Sequence, residues 1–158
     1  TKSARESIVR YKTCGILDYA KAYADCMATR FYEEYSDYKM DIICAVPSHK
    51  NKKKLFGFDQ VEILCEILSG LLGIEYIPKI LSHSRKIYRQ SSLGYKERTK
   101  NIQGSMSVIT KETLKDKTVL LVDDICTTRS TIIEASRALK EAGAKAVYAL
   151  TLATTKPV

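Results

Sequence analysis

Two unbroken apolar runs, residues 42–46 (IICAV) and 119–122 (VLLV), constrain this chain more than anything else in it. Each ends abruptly, the first at Pro47 and the second at Asp123-Asp124. Both are far shorter than the ~20 apolar residues that span a bilayer. A strand with one wet face alternates apolar and polar residues, whereas a strand in a parallel sheet covered on both faces is apolar throughout. The runs therefore predict buried parallel strands. The segments around them carry the helices such a sheet needs. Between 16 and 35 the apolar positions are 16, 17, 20, 23, 24, 27, 28, 31, 32 and 35, which is helical spacing, with Tyr23 and Tyr35 on the packing stripe. Asp59 opens a second helix to about Leu72, which Gly73 is placed to end. Residues 74–77, closed by Pro78, and 146–153 read as further strands. Thr131-Ile-Ile-Glu134 fits a capping box at the head of a third helix ending at Gly143. Strands alternate with helices after residue 40, so the fold class is α/β, a mainly parallel sheet flanked by helices.

A length of 158 residues suits one domain, and such a chain buries an adequate core without disulfides or a structural metal. No repeat or linker divides it. Residues 1–40 read as an N-terminal helical segment, and 82–104, polar, basic and without periodicity, as a flexible loop of functional origin. The chain begins at Thr1 rather than Met, which suits an excised or processed domain. Cys14, Cys26, Cys44, Cys65 and Cys126 are odd in number and contain no C-x-x-C, so neither a disulfide framework nor a zinc site is expected, and the cytoplasm is the natural compartment. Cys26, Cys44 and Cys65 sit among apolar neighbours and are read as small core residues.

The formal charge of +8 is unevenly placed. Lys50, Lys52, Lys53 and Lys54 form one cluster, and residues 79–117 hold 10 basic against 3 acidic side chains. Clustered positive charge attracts phosphates and polyanions, and by itself does not separate a phosphorylated metabolite from nucleic acid.

Residues 119–131 (VLLVDDICTTRST) supply the chemistry that makes the choice. In open parallel sheets ligands bind beyond the carboxyl ends of the strands. Here an apolar strand ends in two carboxylates, followed by a hydroxyl-rich turn and a helix start. The helix N-terminus favours a phosphate, and the hydroxyls of Thr127, Thr128, Ser130 and Thr131 add donors. Carboxylates, which only accept, suit the vicinal hydroxyls of a ribose. The blander alternative, a pair of Asp residues that merely cap a turn, leaves two adjacent carboxylates at the end of a buried strand without a purpose.

This stretch resembles the signature of the type I phosphoribosyltransferases: four apolar residues, two acidic ones, and a Thr-Thr-Gly-x-Thr turn. Arg129 stands where the family has Gly. Other segments resemble the ComF (competence protein F) branch: Tyr11-Lys12 with Gly15; Val46-Pro47 followed by lysines and Gly57-Phe58-x-Gln60; Arg85, Gln90, Leu93, Arg98, Asn101 and Gly104; and Ala142-Gly143-Ala144. The resemblance covers about residues 8–155. Phe56 and Asp59 replace the branch's Arg and Asn, and its usual N-terminal zinc finger is either missing or cut away ahead of Thr1.

The resemblance implies that phosphoribosyl pyrophosphate (PRPP) is bound with Mg²⁺ and that its phosphoribosyl group passes to an unidentified nitrogen acceptor. By the same resemblance Asp123 and Asp124 are the catalytic pair, holding the ribose hydroxyls and the Mg²⁺, directly or through water. Cys126, Thr127, Thr128, Arg129, Ser130 and Thr131 cradle the ribose 5-phosphate. Pro47, Ser48, His49, Lys50 and Lys54 form the pyrophosphate loop, and Arg85, Lys86, Arg89, Gln90 and Arg98 belong to a lid. His49 and His83 are candidates for acid–base work, although a lone loop His is more often merely solvated, and that is the reading preferred for both. The alternative is a non-catalytic DNA-uptake module that contacts single-stranded DNA or a competence helicase through the basic loops. No membrane partner is expected, and a homodimer is common in the fold.

Overall fold

A computed structural model of the chain describes residues 6, 19–48, 57–84, 102–110, 112–126 and 129–154. The elements in order are α1 (Ala20–Tyr35), β1 (Ile42–Ala45), α2 (Gln60–Leu72), β2 (Glu75–Tyr76), β3 (Leu81–His83), β4 (Met106–Val108), a 3₁₀ turn (Glu112–Leu114), β5 (Thr118–Cys126), α3 (Ser130–Glu141) and β6 (Ala146–Thr154). Four strands form one sheet in the order β2-β1-β5-β6, and every pairing in it is parallel. The α/β expectation is met.

The apolar runs become the two central strands because both of their faces are covered. Ile43, Leu120 and Val122 face α1 and α2, whose Ala24, Met27, Phe31, Leu64, Cys65 and Leu68 complete one core. Ile42, Cys44, Val119 and Leu121 face the other way, onto Ala135, Ala138 and Leu139 of α3 and onto Leu81 and Met106. Leu64, Leu68, Leu120 and Leu121 are wholly buried, and each contributes about 1.5–3 kcal/mol of transfer free energy. Register is set by Ile42↔Val119 through Ala45↔Val122, and the Val46 N–H extends it by donating to the Val122 carbonyl.

Local chemistry sets the ends of α2. The Asp59 side chain accepts from the Val61 N–H at its start, and Gly73, at φ +66, ends it in the left-handed conformation that residues with a Cβ avoid. Tyr35 of α1 packs against the core and donates its hydroxyl to the Ala149 carbonyl of β6, as the packing reading expected of it.

Several sequence expectations need correction. Cys26 is exposed, whereas Cys44 and Cys65 are buried; the core-facing turn of α1 is taken by Ala24, Met27 and Ala28. Strand β5 runs on through Asp123 and Asp124 to Cys126, because β6 pairs with it along that whole length. The capping box does not form. Helix α3 starts at Ser130 without a side-chain cap, and Glu134 accepts instead from the distant Met106 N–H. The ends of the 82–104 stretch are ordered: His83 lies in β3, which pairs antiparallel with β4. Residues 85–101, the body of the expected loop, lie outside the described residues, as do residues 16–18 at the head of the first expected helix.

Candidate functional site

The sheet has one switch point. From β1 the chain crosses to β2 on one side and later returns to β5 on the other, with α2 and α3 on opposite faces. In such sheets the crevice outside the carboxyl ends of the two central strands is where ligands bind. Pro47 and Ser48 leave β1 at that edge, and Asp123 and Asp124 stand near the end of β5 at the same edge.

Asp123 and Asp124 are 9% and 6% exposed. Successive side chains of a strand point to opposite faces, so Asp123 continues the face of Val119 and Leu121, and Asp124 that of Leu120 and Val122. The two carboxylates therefore share a strand end but not a face. Each also bonds the chain ahead of it: Asp123 Oδ1 accepts from the Asp124 N–H at 2.8 Å, and Asp124 Oδ1 from the Ile125 N–H at 2.6 Å.

Beyond Cys126, which is half-buried, Thr127 and Thr128 fall outside the described residues. Arg129 then takes φ +58 and ψ −7, a left-handed conformation, and its carbonyl accepts the first helical bond of α3 from the Ile133 N–H at 2.9 Å. The position keeps the backbone that a glycine would supply, with an exposed guanidinium side chain added. Ser130 is buried and Thr131 half-buried in the first turn. The Arg129 side chain makes no cap hydrogen bond to this helix and no acidic residue lies in its first turn, so the positive end of its dipole is a favourable place for an anion.

The N-terminus of α2 is arranged in the opposite way. Its Asp59 cap, 7% exposed, also accepts a hydrogen bond from the Ser48 hydroxyl. This pair ties the first turn after β1 to the helix and lines a cavity of about 190 Å³ with Val46, Pro47, Glu62, Lys79 and Leu81. His49, Lys50 and Lys54, expected in this loop, lie outside the described residues, as do Arg85, Lys86, Arg89, Gln90 and Arg98.

Two contacts near the site carry no motif. His83, expected to be solvated, is half-buried, and its Nε2–H donates to the Pro47 carbonyl at 3.0 Å. Glu134, 3% exposed, accepts from the Met106 N–H at 3.2 Å and from the Arg137 fork at 2.8 and 2.9 Å. Burial pushes the Glu134 carboxyl up. The Arg137 guanidinium and the N–H groups of Gly104 and Met106 more than offset this and hold it below the ordinary carboxylate value.

A doubly covered parallel sheet, with an acidic pair and a helix start at its switch point, is the arrangement of the type I phosphoribosyltransferase class. The family model described as "Phosphoribosyl transferase domain" matches residues 74–157. Competence protein F of Haemophilus influenzae is 30% identical over 114 residues, which is 72% of this chain and 50% of that protein. Competence protein ComFC of Streptococcus pneumoniae is 30% identical over 152 residues, 96% of this chain and 63% of that protein. The chain thus spans about half the length of Competence protein F. A crystal structure of adenine phosphoribosyltransferase shares the fold, with a TM-score of 0.59 and 16% identity over 92% of this chain and 74% of that one. This chain belongs to the phosphoribosyltransferase domain family, in its ComF branch.

Proposed function

We propose that this chain binds PRPP across the carboxyl ends of β1 and β5 and transfers the phosphoribosyl group to a nitrogen acceptor. The observation that carries the reading is the turn from β5 into α3. It keeps its left-handed residue at Arg129 and leads into a helix with no acidic residue in its first turn, which suits a 5-phosphate. In the transfer the bond from the anomeric carbon to the pyrophosphate oxygen breaks and a bond to the acceptor nitrogen forms. Pyrophosphate leaves with the electron pair, and the acceptor gives up its N–H proton.

In this reading Asp123 and Asp124 orient the ribose hydroxyls as acceptors from the two faces of β5. Cys126, Thr127, Thr128, Arg129, Ser130 and Thr131 hold the 5-phosphate. The chain from Pro47 to Lys54 takes the leaving group, with Ser48 positioned by Asp59. Arg85, Lys86, Arg89, Gln90 and Arg98 cover the site and exclude water. Asp123 and Asp124, two oxygen donors at the end of β5, fit Mg²⁺, which keeps its waters and takes substrate oxygens with only one or two carboxylates. Asp123 and Asp124 are the residues that would hold it, and its chemistry there is neutralisation of the pyrophosphate leaving group.

Calorimetry tests this reading. PRPP with Mg²⁺ should bind the full chain, and Asp124→Asn should weaken binding at least tenfold. Absence of heat with PRPP, ribose 5-phosphate and nucleotides alike would refute it.

The relatives' names favour a second reading, a DNA-uptake module that contacts single-stranded DNA or a helicase through its basic loops. Single-strand affinity should then fall steeply with salt, and salt-independent binding would count against it. Under either reading we treat residues 1–158 as one domain acting in the cytoplasm. No helix among the described residues is long and apolar enough to cross a membrane.

A further inference from the structure

We propose that the β3–β4 ribbon is a cross-brace that sets the spacing between the two loops of the site, with Glu134 and His83 as its positioning residues. His83 and Met106 face each other directly across the ribbon. From this one register position the ribbon is fastened in two directions. The His83 Nε2–H donates to the Pro47 carbonyl at the end of β1, and the Met106 N–H donates to Glu134 of α3. Strand β1 leads into the loop assigned to pyrophosphate, and α3 starts at the turn assigned to the 5-phosphate. The ribbon therefore links the end of β1 to the second turn of α3.

The α3 anchor is built to be stiff. Glu134 lies one helical turn after Ser130, and both of its oxygens are engaged by the Arg137 fork. Arg137 is itself paired with Glu141 one turn further on. The Gly104 N–H adds a second backbone donor to the carboxylate, from a residue at φ +70. Charge-assisted bonds of this kind are stronger and geometrically tighter than neutral ones. A carboxylate present only to stabilise α3 would need the arginine and no backbone donors from the ribbon.

The brace rests on the PRPP reading of the site. PRPP carries phosphate on both ends of its ribose, so it engages both loops at once and senses their separation. Ribose 5-phosphate engages the acidic pair and the α3 turn but has no pyrophosphate for the other loop. Loosening the brace should therefore penalise the longer ligand selectively, since small misplacements across a two-point site are costly.

The test is calorimetry on the full chain with PRPP and Mg²⁺, and separately with ribose 5-phosphate. Glu134→Ala and His83→Ala should each weaken PRPP about tenfold and ribose 5-phosphate less than about twofold, with Glu134→Gln recovering part of the loss. Equal weakening of both ligands, or of neither, overturns the brace, because a purely structural role leaves their ratio unchanged. If Glu134→Ala does not fold, His83→Ala carries the same comparison. Should the wild-type chain bind neither ligand, the PRPP reading fails, and the brace is judged by amide exchange. His83→Ala should then speed exchange at Met106 without affecting Leu120, and an unchanged Met106 overturns it.

Discussion

Replacing Arg129 separates what its backbone does from what its side chain does. The residue is held at φ +58, where a Cβ crowds the following carbonyl at a cost of about 1–2 kcal/mol relative to glycine. Glycine relieves that strain but loses about 0.5–1 kcal/mol more backbone entropy on folding. Arg129→Gly should therefore be about 0.5–1 kcal/mol more stable than Arg129→Ala, which trims the side chain but keeps the Cβ. The exposed guanidinium itself contributes little, within about 0.5 kcal/mol, so Ala and wild type should nearly coincide. For a chain of this size the Gly–Ala gap corresponds to about 1–4 °C in Tm. Urea unfolding of the three proteins under one buffer measures it, with equal m-values as the check that only the native turn changed. An Ala variant as stable as the Gly variant would mean that the turn is not left-handed at 129, and the likeness to a glycine-containing phosphate loop would lose its structural footing.

Asp59→Ala should cost about 1–2 kcal/mol in chemical denaturation, because α2 loses its cap and the Ser48 hydroxyl its acceptor. Acid should act through Glu134. Its carboxyl is held below its ordinary 4.5, so its stabilisation is complete above that pH and is lost as pH falls through the depressed folded value. Thermal melts of Glu134→Gln should accordingly show a flatter acid limb below about pH 4.5 than wild type. Thiol labelling of the native chain should modify Cys26 and spare Cys44 and Cys65 until unfolding. Burial pushes the Cys44 thiol up to about 12 and the Cys65 thiol well above its usual value, and only a thiolate reacts.

What could be read from local pattern and what could not divide along a physical line. The central strands, the caps of α2 and the acidic pair beside a helix start were legible because each depends on residues within a few positions of one another. Unbroken apolarity requires cover on two faces, Asp59 reaches only two residues ahead, and Gly73 ends α2 through its own backbone freedom. Local pattern misled where a remote partner outbid a near one. Glu134 has the spacing of a capping box, yet it bonds Met106, 28 positions away, because that buried N–H has more to lose from going unpaired than a helix end has. His83 carries no motif and joins Pro47 across 36 positions. Strand β5 runs past its apolar stretch because β6 lies alongside it, and that pairing turns Asp123 and Asp124 to opposite faces of the sheet. The chemistry of the site was thus written in adjacent residues. Its geometry came from contacts between distant ones, since hydrogen bonds and burial reward whichever groups the folded chain brings together, however far apart they stand along it.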